Sequence, residues 1–270
     1  MDRTLSVVLG VLVVAALVFA GAVALSAYMG IRYRSTLSGT YEYQVEITPD
    51  ALLGNVTLYL PVPTRGAESS AVLERIGSGD LGGVPAGWEV SLIGTEKFTM
   101  LEITAREIDP GCGCAPLILS LDTKVRGPIR TRTADSEDLV LGTVTRVIPA
   151  PCVGTDTGAS PEMRCWVYQG PAYADYTSEG NGQLSIHVSL TGRNAWDVFG
   201  PSGNEYRDSL QFSFSGERQG WRTGDGSLVT GIGDYWLEDY WLIPERTSGG
   251  EPAWPRDLPW WPLALRRAAA

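Results

Sequence analysis

The chain begins with a long apolar stretch and then changes to short runs in which apolar and polar residues alternate. From Leu5 to Met29 there are 25 residues without a charge. At about 1.5 Å per residue, a helix of this length spans a bilayer core of about 30 Å. The pattern therefore predicts a transmembrane signal-anchor helix over 5–29, with residues 1–4 as a cytoplasmic stub.

A cleaved signal peptide is the alternative interpretation of the same stretch. Its cleavage site would be Ala22-Val23-Ala24. The apolar part of such a peptide is about 7–15 residues long, whereas the apolar stretch here is longer and continues past that site to Met29. An uncleaved anchor is therefore preferred.

Alternation with a period of two follows the apolar stretch and is typical of half-buried strands. One short helix is expected around Ser70–Ile76. Strands that have no helices between them predict an antiparallel β-sandwich rather than a βαβ fold. The clearest alternating runs are Tyr41–Ile47, Val56–Leu60, Leu101–Ala105, Leu184–Leu190 and Leu210–Phe214.

A stretch rich in Gly, Pro, Ser and Thr interrupts the alternation and predicts a boundary. We expect a disulfide-linked connection over 151–182, between an N-terminal β-subdomain (30–150) and a C-terminal one (183–248). A Pro- and Trp-rich tail follows over 249–270. The predicted fold class is mainly β: one N-terminal transmembrane helix, then an antiparallel β-sandwich ectodomain of two packed subdomains. One sandwich with a long internal connection is the alternative.

Composition favours placing the β-region outside the cytosol. Asp and Glu total 31 against 21 Lys and Arg, for a net charge of −10, so nucleic acid is not an expected partner. Arginines flank both ends of the apolar stretch and leave its orientation open. Four cysteines and an Asn55-Val56-Thr57 glycosylation sequon suit the exterior. The expected location is the cell membrane, single-pass, with the N-terminus cytoplasmic and the C-terminal domain outside.

The four cysteines predict two structural disulfides. Cys112 and Cys114 lie in a loop flanked by prolines, which does not suit a redox pair. Cys152 and Cys165 are too far apart in sequence for the close ligand spacing of most zinc sites.

A proposed hairpin gives the expected pairing of these cysteines. If strands over 116–126 and 139–148 pair so that Leu119 faces Val147, their apolar residues share one side of the sheet. The same register sets Cys114 opposite Cys152. The predicted bridges are Cys114–Cys152 and Cys112–Cys165.

Residues that could carry catalysis are few, and neither a cofactor nor a metal site is expected. The lone histidine, His187, alternates with apolar neighbours and is expected on the solvent-facing side of its strand. Asp135, Glu137 and Asp138 cluster in a polar loop. Because carboxylate pairs hydrolyse glycosides, a carboxylate-pair hydrolase is the second alternative function.

Tryptophan usage points to a different alternative. Eight of the nine Trp residues follow Cys165. Among them, Trp236 and Trp241 flank Asp239, a mixture of aromatic faces and a carboxylate that can bind sugars. The first alternative function is therefore a carbohydrate-binding module centred on Trp236 and Trp241. The structural alternative is a strand whose aromatic side chains fill the core or cover its edge.

The tail combines aromatic residues with cations. Adjacent Trp and Arg pairs are typical of a membrane interface, so we expect the tail to contact the bilayer or a partner, with packing against its own domain as the alternative. The tail residues concerned are Trp260, Trp261, Arg266 and Arg267.

The preferred function is a binding or assembly role at the cell envelope, without catalysis. Expected partners are the lipid bilayer, through 5–29, and an envelope protein or a glycan.

Overall fold

The computed structural model describes residues 3–64, 70–94, 99–110, 115–132, 140–141, 148–152, 162–178, 180, 182–215 and 220–237. Two helices and twelve strands lie in these ranges. The helices are α1 (Arg3–Thr36) and α2 (Ala71–Gly77). The strands are β1 (Ser38–Pro49), β2 (Leu53–Pro61), β3 (Pro63–Thr64), β4 (Trp88–Gly94), β5 (Thr99–Ile108), β6 (Leu117–Val125), β7 (Val140–Leu141), β8 (Ile148–Ala150), β9 (Arg164–Ser178), β10 (Gln183–Asp197), β11 (Pro201–Ser215) and β12 (Gly220–Gly233).

The apolar N-terminal stretch forms a single helix, as predicted, and the helix continues beyond it. The part from Ser6 to Thr36 is long and apolar enough to cross a membrane. Large apolar side chains along it, such as Leu9 and Phe19, are exposed rather than packed against the β-strands. Length, composition and exposure thus agree with a membrane anchor or a signal sequence.

Ten of the strands form one antiparallel sheet, in the order β4-β5-β2-β9-β12-β11-β10-β1-β6, with β8 paired to β9. β3 and β7 form a separate two-stranded ladder. The mainly β, antiparallel prediction is confirmed. The stretch 151–182, however, contains the 15-residue strand β9. Because β9 pairs with β2 and β10 pairs with β1, strands from both predicted subdomains share this sheet.

The sheet curls because only one of its faces is apolar. Ile103 of β5 and Leu121 of β6 belong to the same buried core, although their strands lie near opposite edges of the sheet. α2 lies where these edges approach, in contact with β4 and β6. It begins after Ser70, whose Oγ accepts a hydrogen bond from the Leu73 N–H at 3.2 Å, close to the predicted start. The helix thereby covers edge strands that would otherwise expose unpaired backbone groups.

Polar side chains hold an inner segment, residues 129–132 and 140–141, against the apolar face of the sheet. Asn194 pairs with the backbone of Ile129: its Oδ1 accepts from the Ile129 N–H and its Nδ2 donates to the Ile129 carbonyl, both at 2.7 Å. Thr131 donates its hydroxyl hydrogen to Asn204 Oδ1 at 2.9 Å. Buried backbone groups outside a ladder need such partners, so the Asn194 amide takes the place of a neighbouring strand at Ile129.

Asp208 is the charged member of this inner cluster. Its carboxylate accepts hydrogen bonds from the Leu141 N–H at 2.8 Å and from the Tyr168 hydroxyl. Burial raises the pKa of Asp208 to about 7, against the lowering effect of hydrogen bonds from Leu141, Tyr168 and Ser209. Burial, followed by the nearby Asp208 charge, raises the pKa of Tyr168. Tyr168 is therefore a neutral donor at physiological pH.

The hairpin predicted from 116–126 and 139–148 is wrong. β6 pairs with β1, which sets Leu119 opposite Val45, whereas β7 pairs with β3 and β8 pairs with β9. Alternation determines which side of a strand is buried, but it does not determine which strand lies beside it. The alternation of β6 therefore fits β1 as a neighbour as well as it fits the strand proposed from the sequence.

The predicted disulfide pairing is also wrong, because Cys152 is bonded to Cys165, with their Cα atoms 5.3 Å apart. In the β8–β9 ladder Ala150 lies opposite Cys165. Cys152, two residues further along, is thus a diagonal neighbour on the same face. The other two cysteines, Cys112 and Cys114, lie outside the described residues.

The raised pKa of Asp208 predicts how stability depends on pH. The folded state keeps a proton that the unfolded chain, with a carboxyl pKa of about 3.9, releases. The free energy of unfolding should therefore decrease as pH rises, and Asp208 should contribute about 2 kcal/mol of that decrease between about pH 5 and pH 8. Urea denaturation at these two pH values checks this, with Asp208→Asn as the variant that lacks the titration. Equal pH dependence in the two proteins would contradict the assignment.

Candidate functional site

A row of aromatic side chains, of which one is exposed and two are half-buried, crosses the outer face of the sheet. Tyr59 of β2 lies opposite Tyr173 of β9, and Tyr173 lies opposite Trp221 of β12. The Trp221 side chain is 52% exposed. We refer to these three residues as the aromatic row.

The rings of the aromatic row touch one another. Tyr59 and Tyr173 are stacked, with centroids 5.1 Å apart and planes at 24°. Trp221 is tilted by 60° to Tyr173 at 5.5 Å and by 39° to Tyr59 at 6.2 Å. Offset and tilted contacts of this kind are favourable between aromatic quadrupoles. The three rings therefore form a continuous apolar ledge on the outer face of the sheet.

Two carboxylates border this ledge. Glu102 of β5 lies opposite Tyr59 and accepts a hydrogen bond from the Ser91 hydroxyl at 2.9 Å. Asp175 lies two residues along β9 from Tyr173. Partial burial, and then the charge of Glu102, raise the pKa of Tyr59, with smaller contributions from Tyr173 and Asp175. The Tyr59 hydroxyl thus stays neutral beside carboxylate acceptors.

The outer face next to the aromatic row is dense in hydroxyl, amide and carboxylate groups. Ser209 and Ser227 lie opposite each other, with their Oγ atoms 3.0 Å apart. His187 lies on this outward face, with its Nδ1 atom 3.8 Å from a carboxylate oxygen of Glu46. The surface therefore offers donors and acceptors in register across several strands. Further members are Gln44, Ser189, Gln211 and Asp225.

A charged cleft of about 580 Å³ lies on another part of the outer face. Glu42 of β1 lies directly opposite Asp122 of β6, and the lining includes Arg75, Lys124 and Arg193. Opposed carboxylates repel, and the cations offset that repulsion. A glycosidase keeps one carboxyl group protonated in an apolar setting, so this cation-lined cleft suits catalysis poorly. Within the described ranges, no three His, Cys, Asp or Glu side chains come together as a metal site requires.

The structure describes only some of the residues singled out from the sequence. Trp236 is 44% exposed and lies outside the aromatic row. Asn55 is exposed at an irregularity of β2, with a φ of 50°, and its glycosylation stays a prediction. The remaining candidates lie outside the described residues, namely Asp135, Glu137, Asp138, Asp239, Trp241, Trp260, Trp261, Arg266 and Arg267.

The aromatic row is absent from the sequence-based predictions, although two of its members carry a signal. Tyr59 lies between the inward-facing Leu58 and Leu60, and Tyr173 lies between the inward-facing Ala172 and Ala174. A large aromatic residue at an outward position is an exposed ring unless something covers it. The register that brings the rings together depends on strand partners that are distant in sequence.

No protein-family model matches the chain, and the searches of curated proteins and of solved structures found no significant match.

Proposed function

We propose that the chain is a single-pass membrane protein of the cell envelope whose β-domain lies outside the cytosol and binds glycans without catalysis. The aromatic row, bordered by Glu102 and Asp175, is the observation that carries this proposal. The pair Trp236 and Trp241 stays a separate prediction, because Trp241 lies outside the described residues.

The chemistry of the aromatic row matches that of a sugar ring. A pyranose has an apolar face of C–H groups, which stacks on an aromatic ring, and hydroxyl groups at its edge. The carboxylates of Glu102 and Asp175 accept hydrogen bonds from such hydroxyls, and the Tyr59 hydroxyl can donate or accept. A peptide that adds a strand would instead use an unpaired strand edge, and an amphipathic helix would use an apolar groove.

The proposed location rests on three features. α1 exposes an apolar surface long enough to span a bilayer. The Cys152–Cys165 disulfide suits an oxidising compartment. Asn55, the acceptor residue of the sequon, is exposed. Together they support a cytoplasmic N-terminus and an exterior β-domain.

The first prediction concerns topology. The full-length protein should stay in the membrane fraction after alkaline carbonate washing, because the uncharged helix is inserted. Protease added to intact cells should digest the β-domain. A protein released into the medium with a new N-terminus near Leu25 would show instead that α1 is a cleaved signal peptide.

The second prediction concerns the ligand. Full-length protein in nanodiscs should bind at least one member of a panel of soluble oligosaccharides, measured by titration calorimetry. Trp221→Ala removes one ring of the ledge and should weaken binding about tenfold, which corresponds to about 1.4 kcal/mol. Trp236→Ala removes an exposed ring outside the aromatic row and should leave the affinity unchanged. If Trp236→Ala weakens binding and Trp221→Ala does not, the segment around Trp236 is the binding surface. If neither substitution weakens binding, neither surface binds the oligosaccharide.

The hydrolase alternative makes a separate prediction, because Glu42 and Asp122 lie opposite each other in the charged cleft. It requires new reducing ends to accumulate when the protein is incubated with an oligosaccharide, and Glu42→Gln should abolish them. Our proposal expects no reducing ends from either protein.

A further inference from the structure

The junction between α1 and the β-domain has almost no linker. α1 ends at Thr36 and β1 begins at Ser38, which leaves only Leu37 between them. In the described part of the chain, the end of the helix is also tied to the turn between β10 and β11. A junction this short, with side contacts, limits movement of the β-domain relative to the helix.

Two kinds of contact tie α1 to this turn. The Tyr33 and Trp196 rings meet edge to face, with centroids 5.4 Å apart, and both side chains are buried. The Asp197 N–H donates to Thr36 Oγ1 at 3.0 Å. The turn therefore lies beside the last turn of α1.

The height of the turn along the helix axis follows from helix geometry. Thr36 lies seven residues after Met29, the last residue of the uncharged stretch, which corresponds to a rise of about 10 Å. A headgroup layer adds about 5–8 Å to each side of the bilayer core. Residues beside Thr36 thus lie a few ångströms outside the headgroup layer when Met29 lies at the edge of the core.

The tip of the turn is apolar and exposed. Phe199 is 67% exposed, the highest value for a large apolar side chain among the described residues after Thr36. The turn is ordered by a hydrogen bond from the Gly200 N–H to Asp197 Oδ1 at 3.2 Å. Gly200 has a φ of 137°, which favours glycine. An exposed ring at the tip of an ordered turn at this height is close enough to reach the headgroup layer, where apolar side chains of interfacial segments bind.

We propose that the β10–β11 turn is a second membrane contact, in which Phe199 enters the headgroup layer of the bilayer. This inference rests on the proposed membrane anchor. Arg32 and Arg34, in the last turns of α1, supply cations at phosphate height. The two contacts, helix and turn, hold the domain in one orientation on the bilayer surface.

The experiment uses the full-length protein in lipid vesicles. An environment-sensitive fluorescent amino acid replaces Phe199, or in a matched control Leu52. Leu52 is also an exposed apolar residue in a connection, but it follows the far end of β1. That end lies about 40 Å from α1, at about 3.3 Å per residue for twelve residues. Carbonate washing of the same vesicles reports whether α1 is inserted.

Lipids that carry a quencher near the headgroup should quench the label at position 199 at least about twofold more than the label at position 52, as expected for a side chain at the interface. If the protein resists carbonate but both labels are quenched equally, the turn does not touch the bilayer and the inference fails alone. If carbonate extracts the protein, α1 is not a membrane anchor, and the proposed contact of Phe199 is refuted with it.

Discussion

The structure depends on one constraint, that ten antiparallel strands present a single apolar face. A flat sheet of this kind would leave that face in water, and burial of apolar area is the main favourable term in folding. The sheet instead curls until residues from strands near opposite edges, such as Ile103 and Leu121, share a core. α2 covers the remaining gap between the edge strands, and the inner segment covers the apolar face near α1. The polar side chains of Asn194, Asn204 and Asp208 follow from the same constraint, since buried polar groups of the inner segment that no ladder pairs need hydrogen-bond partners.

Because the core lies inside the curl, the outer face is left to solvent and is free to bind. The aromatic row lies near the start of β12, whereas the other end of β12 pairs with Asn204 of β11, close to the inner segment and α1. The proposed binding surface therefore lies toward the end of the strands that is far from the helix. In a membrane-tethered protein this arrangement presents the rings to the envelope rather than to lipid. The short junction and the proposed contact at Phe199 would hold the β-domain in the orientation that exposes the rings.

The sequence predicts what depends on local pattern and misses what depends on distant pairing. Alternation predicts β1, β2, β5, β10 and β11, and the uncharged stretch predicts α1. β9 is missed because the middle of its inward face is small: Gly170, Ala172 and Ala174 lie between Tyr168 and Tyr176 and give little hydrophobic signal. Their size is imposed by neighbours, since a Cβ atom at Gly170 would lie 3.0 Å from the Leu210 side chain. The disulfide and the aromatic row both depend on β9, and thus on ladders to strands distant in sequence.

The central claim is that a sugar ring stacks on the aromatic row. Saturation-transfer NMR tests it directly: aromatic protons of the full-length protein in nanodiscs are saturated while an oligosaccharide exchanges on and off. The account predicts the strongest transfer to the C–H protons of one pyranose face, and a marked loss of that transfer in Trp221→Ala. Transfer that is unchanged in that variant, or absent for every oligosaccharide in the panel, would contradict it.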